Sequence, residues 1–162
     1  MSNHCPATCH SYILEPEAGF SIINLKEGEK MVVDRGDFNS ILFLTAGNFE
    51  ITSEERRDYT VREGHLVFCF RAYQYEITAL SDVEIIKAHF IAAGAACDII
   101  PFNSIVGKIK KINYKFTQVA MNEPMLCLLQ AMKPYLANDM HSNHLHRATI
   151  QELFIIFKFF YT

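Results

Sequence analysis

The apolar residues between Tyr12 and Ile91 occur in short runs, and this pattern limits the fold more than any other feature of the chain. The runs have the length of β-strands and are separated by Gly, Asn, Asp and Glu. Residues 46–48 (Ala-Gly-Asn) lie between two of the runs and have the composition of a hairpin turn. Short strands at this spacing close most readily as a barrel or jelly roll, because closure removes unpaired sheet edges. The sequence therefore predicts an antiparallel, mainly β unit.

The spacing of the apolar residues changes after Pro101, where they begin to recur at the three- and four-residue steps of an α-helix. Asn122 is placed to cap the first helix, and Pro134 inside the same pattern predicts a kink or a break. A polar loop then leads into a final helix, so we predict an antiparallel helical pair. The predicted organisation is a flexible N-terminus at residues 1–11, a β-barrel at 12–101 and a helical dimerisation region at 102–162.

The final segment, residues 150–162, is apolar on more than one side. Its main apolar stripe faces one way, whereas Ile155 and Phe159 lie among the polar residues of the other side. A second apolar stripe indicates a second partner, so we predict a homodimer in which Ile155 and Phe159 form the contact. A helix buried on all sides within its own domain is the alternative. The segment is shorter than the roughly 20 apolar residues of a membrane span, so no membrane association is expected.

The composition is that of a folded protein with a large core, because 50% of the residues are hydrophobic and 20% are charged. The 5 cysteines are an odd number and do not suggest a disulfide framework. The N-terminus has neither the charged region nor the apolar region of a secretory signal, so a cytoplasmic location is expected.

No motif for catalysis stands out in the chain. A Gly-rich phosphate loop, a nucleophile elbow and a pair of carboxylates in matching apolar contexts are all missing. Two groups of potential metal ligands are present, but neither has the number and spacing of ligands that a structural zinc site requires. They are His4, Cys5, Cys9 and His10 at the N-terminus, and His141, His144 and His146 near the second helix. We therefore predict no enzyme activity, no metal and no cofactor.

Residues 70–76 (F-R-A-Y-Q-Y-E) form the most polar and aromatic stretch of the β region. A guanidinium and two phenols are groups that orient a small polar ligand in a mostly apolar pocket. We predict that Arg71, Tyr73 and Tyr75 contact a ligand. The alternative is a strand edge whose tyrosines cover the rim of the sheet.

Several segments together resemble a known family. Residues 41–51 (I-L-F-L-T-A-G-N-F-E-I), 60–69 (T-V-R-E-G-H-L-V-F-C) and 83–90 (V-E-I-I-K-A-H-F) resemble the cupin-type N-terminal domain of AraC-type transcription regulators. Residues 116–122 and 144–161, which contain H-L-H and Q-E-L-F, resemble a branch of that family common in Bacteroidetes. The resemblance implies a cupin-like barrel that binds a small-molecule effector, two dimerising helices and a C-terminal helix-turn-helix pair that reads DNA.

The resemblance also implies what this chain lacks. No helix-turn-helix pattern occurs in the 162 residues, so DNA binding would require a C-terminal domain outside this chain. We expect a truncated form of a longer regulator, and a natural short protein is the alternative. Metal-dependent cupins carry histidines where this chain has Asn39-Ser40 and Tyr73-Gln74, which removes the usual basis of cupin catalysis. The alternatives are a metal-free cupin enzyme, with Glu76 or His89 as the acid–base residue, and a stand-alone protein that binds a small, sugar-like molecule.

Overall fold

The structure, a computed structural model, describes residues 8–15, 18–53, 56–90 and 119–137, together with residues 149, 152–153 and 155–156. This part of the chain is mainly β, as predicted. It contains β-strands and one helix for which both the first and the last residue are described. They are β1 (Thr8–Glu15), β2 (Ala18–Leu25), β3 (Lys30–Val33), β4 (Asn39–Ala46), β5 (Asn48–Ser53), β6 (Arg56–Arg62), β7 (His65–Cys69), β8 (Tyr75–Ala79), β9 (Val83–Phe90), β10 (Val119–Ala120) and α1 (Glu123–Ala137).

The strands form two antiparallel sheets that pack face to face. The first sheet has the order β1-β2-β9-β4-β7-β10 and the second has the order β3-β8-β5-β6. From β2 to β9 the chain folds as nested antiparallel pairs, with β2–β9 and β4–β7 in one sheet and β3–β8 and β5–β6 in the other. This nesting is the jelly-roll arrangement. The predicted jelly-roll architecture is therefore confirmed.

The space between the two sheets, which we call the lumen, is filled mostly by apolar side chains. Alternate residues of each strand face it, because side chains in a strand point to opposite sides in turn. The buried apolar residues of the lumen are Ile23, Leu25, Met31, Val33, Leu42, Leu44, Phe49, Ile51, Val61, Val67, Ile77, Ala79, Val83 and Ile85.

The opposite face of the first sheet forms a second core with the helical part of the chain. Its strand residues are Phe20, Ile22, Ile41, Phe43, Leu66, Phe68, Ile86 and Ala88. They pack against α1 through Met125, Leu129, Met132 and Leu136, and against Leu153 and Ile156 near the end of the chain. The three- and four-residue spacing of these α1 residues puts them on one face, which explains why this segment is a helix that lies on the sheet.

Helix α1 begins as predicted and ends later than predicted. The Asn122 side-chain oxygen accepts a hydrogen bond from the Met125 backbone N–H at 3.0 Å, which caps the helix. The helix continues through Pro134 to Ala137, so the predicted break at Pro134 does not occur. Pro134 is exposed in the last turn, where water can satisfy the carbonyl that a proline leaves without a donor. No helix in the described ranges is long and apolar enough to cross a membrane.

The structure describes one complete helix, not the predicted antiparallel pair. Helical backbone recurs at residues 149, 152–153 and 155–156, and the rest of the predicted second helix lies outside the described residues. At the other end of the chain, β1 starts at Thr8 and pairs with β2, inside the segment predicted to be a flexible terminus. The predicted boundary between barrel and helices at residue 101 lies outside the described residues.

The turn at residues 46–48 is a corner between the two sheets and not the predicted hairpin. Strand β4 belongs to the first sheet and β5 to the second, so the two strands flanking Gly47 do not pair with each other. Gly47 has φ +78°, and a Cβ there would collide with the backbone oxygen of Asp82 and the side chain of Val83. Asp82 belongs to the corner between β8 and β9, and Val83 is the first residue of β9. The corner at Gly47 and the corner between β8 and β9 thus pack so closely that no side chain fits between them.

Replacing Gly47 with alanine should destabilise the fold by more than about 3 kcal/mol, because the new Cβ adds a collision with fixed backbone to the strain of a positive φ. Gly28→Ala is the matched control, since Gly28 has φ +87° with nothing within 4 Å of the added carbon. Its loss should be about 1–2 kcal/mol. Urea unfolding followed by circular dichroism measures both, and equal losses for the two variants would contradict the close packing of the corners.

Cys69 lies in the lumen, where it packs among the buried apolar residues. Burial raises the pKa of its thiol from the ordinary value of 9.0 to about 12, and the positive charge of Lys87 acts in the opposite direction. A raised pKa means that the folded protein holds this proton over a pH range in which the unfolded chain releases it. The stability due to the buried neutral thiol is therefore complete below pH 9 and is lost as the pH rises towards 12.

Unfolding free energy should fall more steeply with pH above 9 in the wild type than in Cys69→Val, which is similar in size and has no thiol. The difference in slope should approach about 1.4 kcal/mol per pH unit, the value for one proton. Cys127→Val removes an exposed thiol and should leave the wild-type slope unchanged. Denaturant unfolding at a series of pH values gives the slopes. Identical slopes for the wild type and Cys69→Val would show that the thiol is not buried.

Candidate ligand-binding site

The two ends of the lumen are built differently. Four short corners lie together at one end of the lumen, because successive strands run in opposite directions. These corners are the connections β2–β3, β4–β5, β6–β7 and β8–β9. The opposite end is bordered by the segments 34–38, between β3 and β4, and 70–74, between β7 and β8. We call this second end the loop end of the barrel.

Polar side chains face the lumen at the loop end. Ser40 on β4 has His89 and Cys69 as its neighbours across the sheet, and Lys87 lies between Ser21 and Leu42 in the next row. Lys87 and His89 follow Val83 and Ile85 at two-residue steps on β9, so all four share the lumen face. Exposure is 3% for Ser21, 2% for Ser40, 2% for Lys87 and 8% for His89. We call these four residues the polar cluster.

The second sheet contributes Tyr75, one of the three residues predicted to bind a ligand. It is 6% exposed and belongs to the core of the lumen, with Val33 and Ser53 as its neighbours across the sheet. Its phenol oxygen accepts a hydrogen bond from the Phe70 backbone N–H at 3.2 Å. The phenol therefore lies between the lumen and the 70–74 segment.

Hydrogen bonds join the two segments at the loop end. The Arg71 backbone N–H donates to the side-chain oxygen of Asn39 at 3.0 Å, and the Gly36 N–H donates to the Arg71 carbonyl at 3.2 Å. The Tyr73 N–H donates to the Phe70 carbonyl at 3.1 Å, which closes a turn. These bonds hold the backbone of the predicted ligand segment in one position relative to the barrel.

The three predicted ligand residues thus have different surroundings. Tyr75 is buried in the lumen, Tyr73 is partly buried and packs against the same core, and the side chain of Arg71 is exposed. Phe38 from the other segment contacts the ring of His89 edge to face, with ring centroids 5.1 Å apart. Phe38 therefore borders the polar cluster.

Lys87 gives the lumen its electrostatic character. It is the only Lys, Arg, Asp or Glu among the buried residues in the described part of the chain. Its positive charge opposes the desolvation that raises the pKa of the Cys69 thiol. A buried ammonium group carries three hydrogen-bond donors and no acceptor, and the two serine hydroxyls and the histidine ring add further donors. The polar cluster is therefore rich in hydrogen-bond donors.

The potential metal ligands and acid–base residues considered from the sequence lie in different parts of the chain. No group of three or more His, Cys, Asp or Glu within the described ranges could hold a metal ion. The histidine group at 141–146 lies outside those ranges. Glu76 is exposed and forms an ion pair with Lys30 at 3.3 Å, so it does not face the lumen. His89 does face the lumen, and it is the acid–base candidate that the structure places beside other polar groups.

Lys87 is a residue that the sequence analysis did not single out. A signal for it was present, because V-E-I-I-K-A-H-F alternates, and a period of two puts Lys87 and His89 on the side of Val83 and Ile85. The two serines carry no comparable signal. Ser21 and Ser40 join the polar cluster through the register of β2 and β4 against β9, which is a long-range property.

The opposite side of β9 connects to the helix. Glu84 forms an ion pair with Lys133 of α1 at 2.8 Å and accepts a hydrogen bond from the Thr45 hydroxyl at 2.8 Å. Near the end of the chain, Leu153 and Ile156 are buried in the same core, while Ile155 is 38% exposed. Phe159, the other predicted dimer residue, lies outside the described residues.

Comparison with known proteins gives similarity at the level of the fold. No protein-family model and no curated protein matches this chain. A cupin 2 conserved barrel domain protein from Leptotrichia buccalis matches 56% of this chain and 44% of its own length, with 17% identity and a TM-score of 0.49. An RmlC-like cupin family protein from Methanocaldococcus jannaschii matches 52% of this chain and 79% of its own, with 16% identity and a TM-score of 0.48.

Ectoine synthase from P. lautus is also similar, over 47% of this chain and 55% of its own, with 12% identity and a TM-score of 0.43. This match corrects the prediction that the chain is not an enzyme. The prediction depended on missing motifs, and neither missing motifs nor a fold by itself decides whether a protein is a catalyst.

Proposed function

We propose that this chain is the effector-binding and dimerisation domain of an AraC-type transcription regulator. A small molecule would bind at the loop end of the lumen, and the helical part would hold two copies together. DNA would be bound only by a C-terminal domain outside this chain. The quoted sequence segments and the helical part that follows the barrel support the proposal.

The observation that carries the proposal is the double role of β9. One face of this strand presents Lys87 and His89 to the lumen, and the other presents Ile86 and Ala88 to the core shared with α1. Glu84, on the helix side, adds the ion pair with the helix. A ligand that contacts the lumen face therefore acts on the strand against which the helix packs.

Coupling between effector and dimer would follow from this geometry. An effector shifts an equilibrium only when it binds two arrangements with different affinities. A ligand that displaces β9 slightly would also change the packing of α1 against this strand, because closely packed cores transmit strain. The helical surface that carries Ile155 would then present a different contact to the second copy.

The dimer contact is the part of the proposal that is simplest to test. Ile155 is exposed although it lies between buried neighbours, Leu153 and Ile156, and an exposed branched side chain on a helix is suited to a partner helix. We propose Ile155 and Phe159 as the contact, in a second helix that runs antiparallel to α1.

A second candidate is an enzyme. The observation in its favour is that Lys87 and His89 lie together in the lumen, where a proton donor or acceptor could reach a bound molecule. Turnover of a small sugar or acid that depends on these two residues would favour this candidate. A stand-alone binding protein would bind the same class of molecule without turnover and without a DNA-binding partner.

Ile155→Glu should convert a dimer into a monomer, because a buried carboxylate would replace an apolar contact. We expect dissociation to be at least about 30-fold easier, which corresponds to about 2 kcal/mol. Leu80→Glu is the matched control: Leu80 is 45% exposed but lies at the corner between β8 and β9, and this variant should remain a dimer. Light scattering after size exclusion measures the mass. A monomeric wild type, or an Ile155→Glu variant that is still a dimer, would overturn the proposed interface.

A further inference from the structure

We infer that helix α1 contacts a second copy of this chain through an apolar stripe on its outward side. The stripe, which we call the α1 stripe, consists of Pro124, Leu128, Ala131 and Tyr135. The inference rests on the proposed homodimer and extends its contact beyond Ile155 and Phe159 to a helix that is described from end to end.

The spacing of the α1 stripe is that of a helix packed against another helix. Its members follow one another at steps of four, three and four residues. Apolar residues at alternating steps of three and four form the seam of a helix pair, because they return to the same side of the helix. The residues that pack on the first sheet have the same alternation one position later, namely Met125, Leu129, Met132 and Leu136. Helix α1 therefore has two apolar seams, and the first sheet covers one of them.

The α1 stripe is largely exposed within a single chain. Tyr135 is 44% exposed, Ala131 is also exposed, and Leu128 is partly buried at the edge of the core. Tyr135 and Ile155 are two of the three large hydrophobic residues that are exposed in the described part of the chain. Both belong to the helical layer over the first sheet. The α1 stripe thus adds to the helical surface that carries the proposed contact at Ile155.

The outward side of α1 has almost no charge. From Pro124 to Leu136 the one charged residue is Lys133, and its ammonium pairs with the carboxylate of Glu84 on β9 at 2.8 Å. The solvated side of a surface helix normally carries charged and polar residues. The α1 stripe therefore has the composition of a surface that another helix covers.

The outward face of the second sheet is the contrasting case within the same molecule. Its side chains come from alternate positions of β3, β5, β6 and β8, and the charged ones are Lys30, Glu50, Asp58, Arg62 and Glu76. A two-fold contact brings the same surface of two copies together, so charges of one sign on that surface would repel each other. An uncharged stripe avoids this repulsion. The composition therefore favours a second copy over a partner of complementary charge.

Ala131→Glu tests the α1 stripe, because it places a carboxylate in the middle of the stripe at an exposed helix position. Gln130→Glu is the matched control, since it adds the same charge at an exposed position on the side of the helix that carries Lys133. We expect Ala131→Glu to raise the dissociation constant of the dimer at least about 10-fold and Gln130→Glu to change it by less than about twofold. Sedimentation equilibrium measures both constants.

Both variants should fold like the wild type, because glutamate is a good helix former and neither position belongs to the core. Circular dichroism and the melting temperature of each variant check this. A dimer that tolerates Ala131→Glu, or one that both variants weaken equally, would overturn the inference.

Cys127 provides a second measurement that needs no change in the α1 stripe. Its thiol is exposed beside Ala131, four residues away on the helix. The rate of its alkylation by iodoacetamide, followed by peptide mass spectrometry, should be at least about 5-fold lower in the wild-type dimer than in a monomeric Ile155→Glu variant, because reactivity depends on access. Equal rates in dimer and monomer would contradict the inference. Slow alkylation in both would also contradict it, since another part of the same chain would then cover this side of α1.

The outcomes separate this inference from the proposed function. A dimer that Ile155→Glu dissociates and Ala131→Glu does not would remove α1 from the contact and leave the sensor dimer in place. A dimer that Ala131→Glu dissociates and Ile155→Glu does not would support the α1 stripe and contradict the proposed contact at Ile155. A wild type that is monomeric at every concentration would overturn both.

Discussion

Strand β9, like β2, β4 and β7 of the same sheet, joins the two cores of this molecule, because its residues alternate between them. Lys87 and His89 face the lumen, and Ile86 and Ala88 face the helix. The strand also lies between β2 and β4 in the first sheet, so its backbone is hydrogen-bonded on both sides. A displacement of β9 would break hydrogen bonds on two sides and change the packing of two cores. The candidate site and the candidate dimer surface are physically connected at this strand.

The barrel places its tight corners and its polar lumen side chains at opposite ends. Tight corners close one end, where Gly47 packs directly against the corner that contains Asp82. The other end has longer connections, and there the lumen side chains change from apolar to polar. A change at the corner end should therefore act on stability, and a change in the polar cluster should act on the proposed ligand recognition.

Much of the fold could be predicted from the sequence, because it depends on local pattern. The period-two runs predicted the strands, and the cap at Asn122 predicted the start of α1. The turn at Gly47 was misread, because a hairpin and a corner between sheets have the same composition and differ only in which strands pair. The polar cluster was missed for a related reason. Ser21 and Lys87 are far apart in the chain, and only the register between β2 and β9 makes them neighbours.

The central claim is that Lys87 is enclosed in the lumen, and native-state acetylation of lysines tests it most directly. Lys26 and Lys30 have side chains that are 81% and 61% exposed, whereas Lys87 is 2% exposed as a residue. Brief treatment of the folded protein with sulfosuccinimidyl acetate, followed by peptide mass spectrometry, should find Lys26 and Lys30 acetylated and Lys87 unmodified. In urea, Lys87 should react like the other two. Acetylation of Lys87 in the folded protein at the rate of Lys26 would contradict the account.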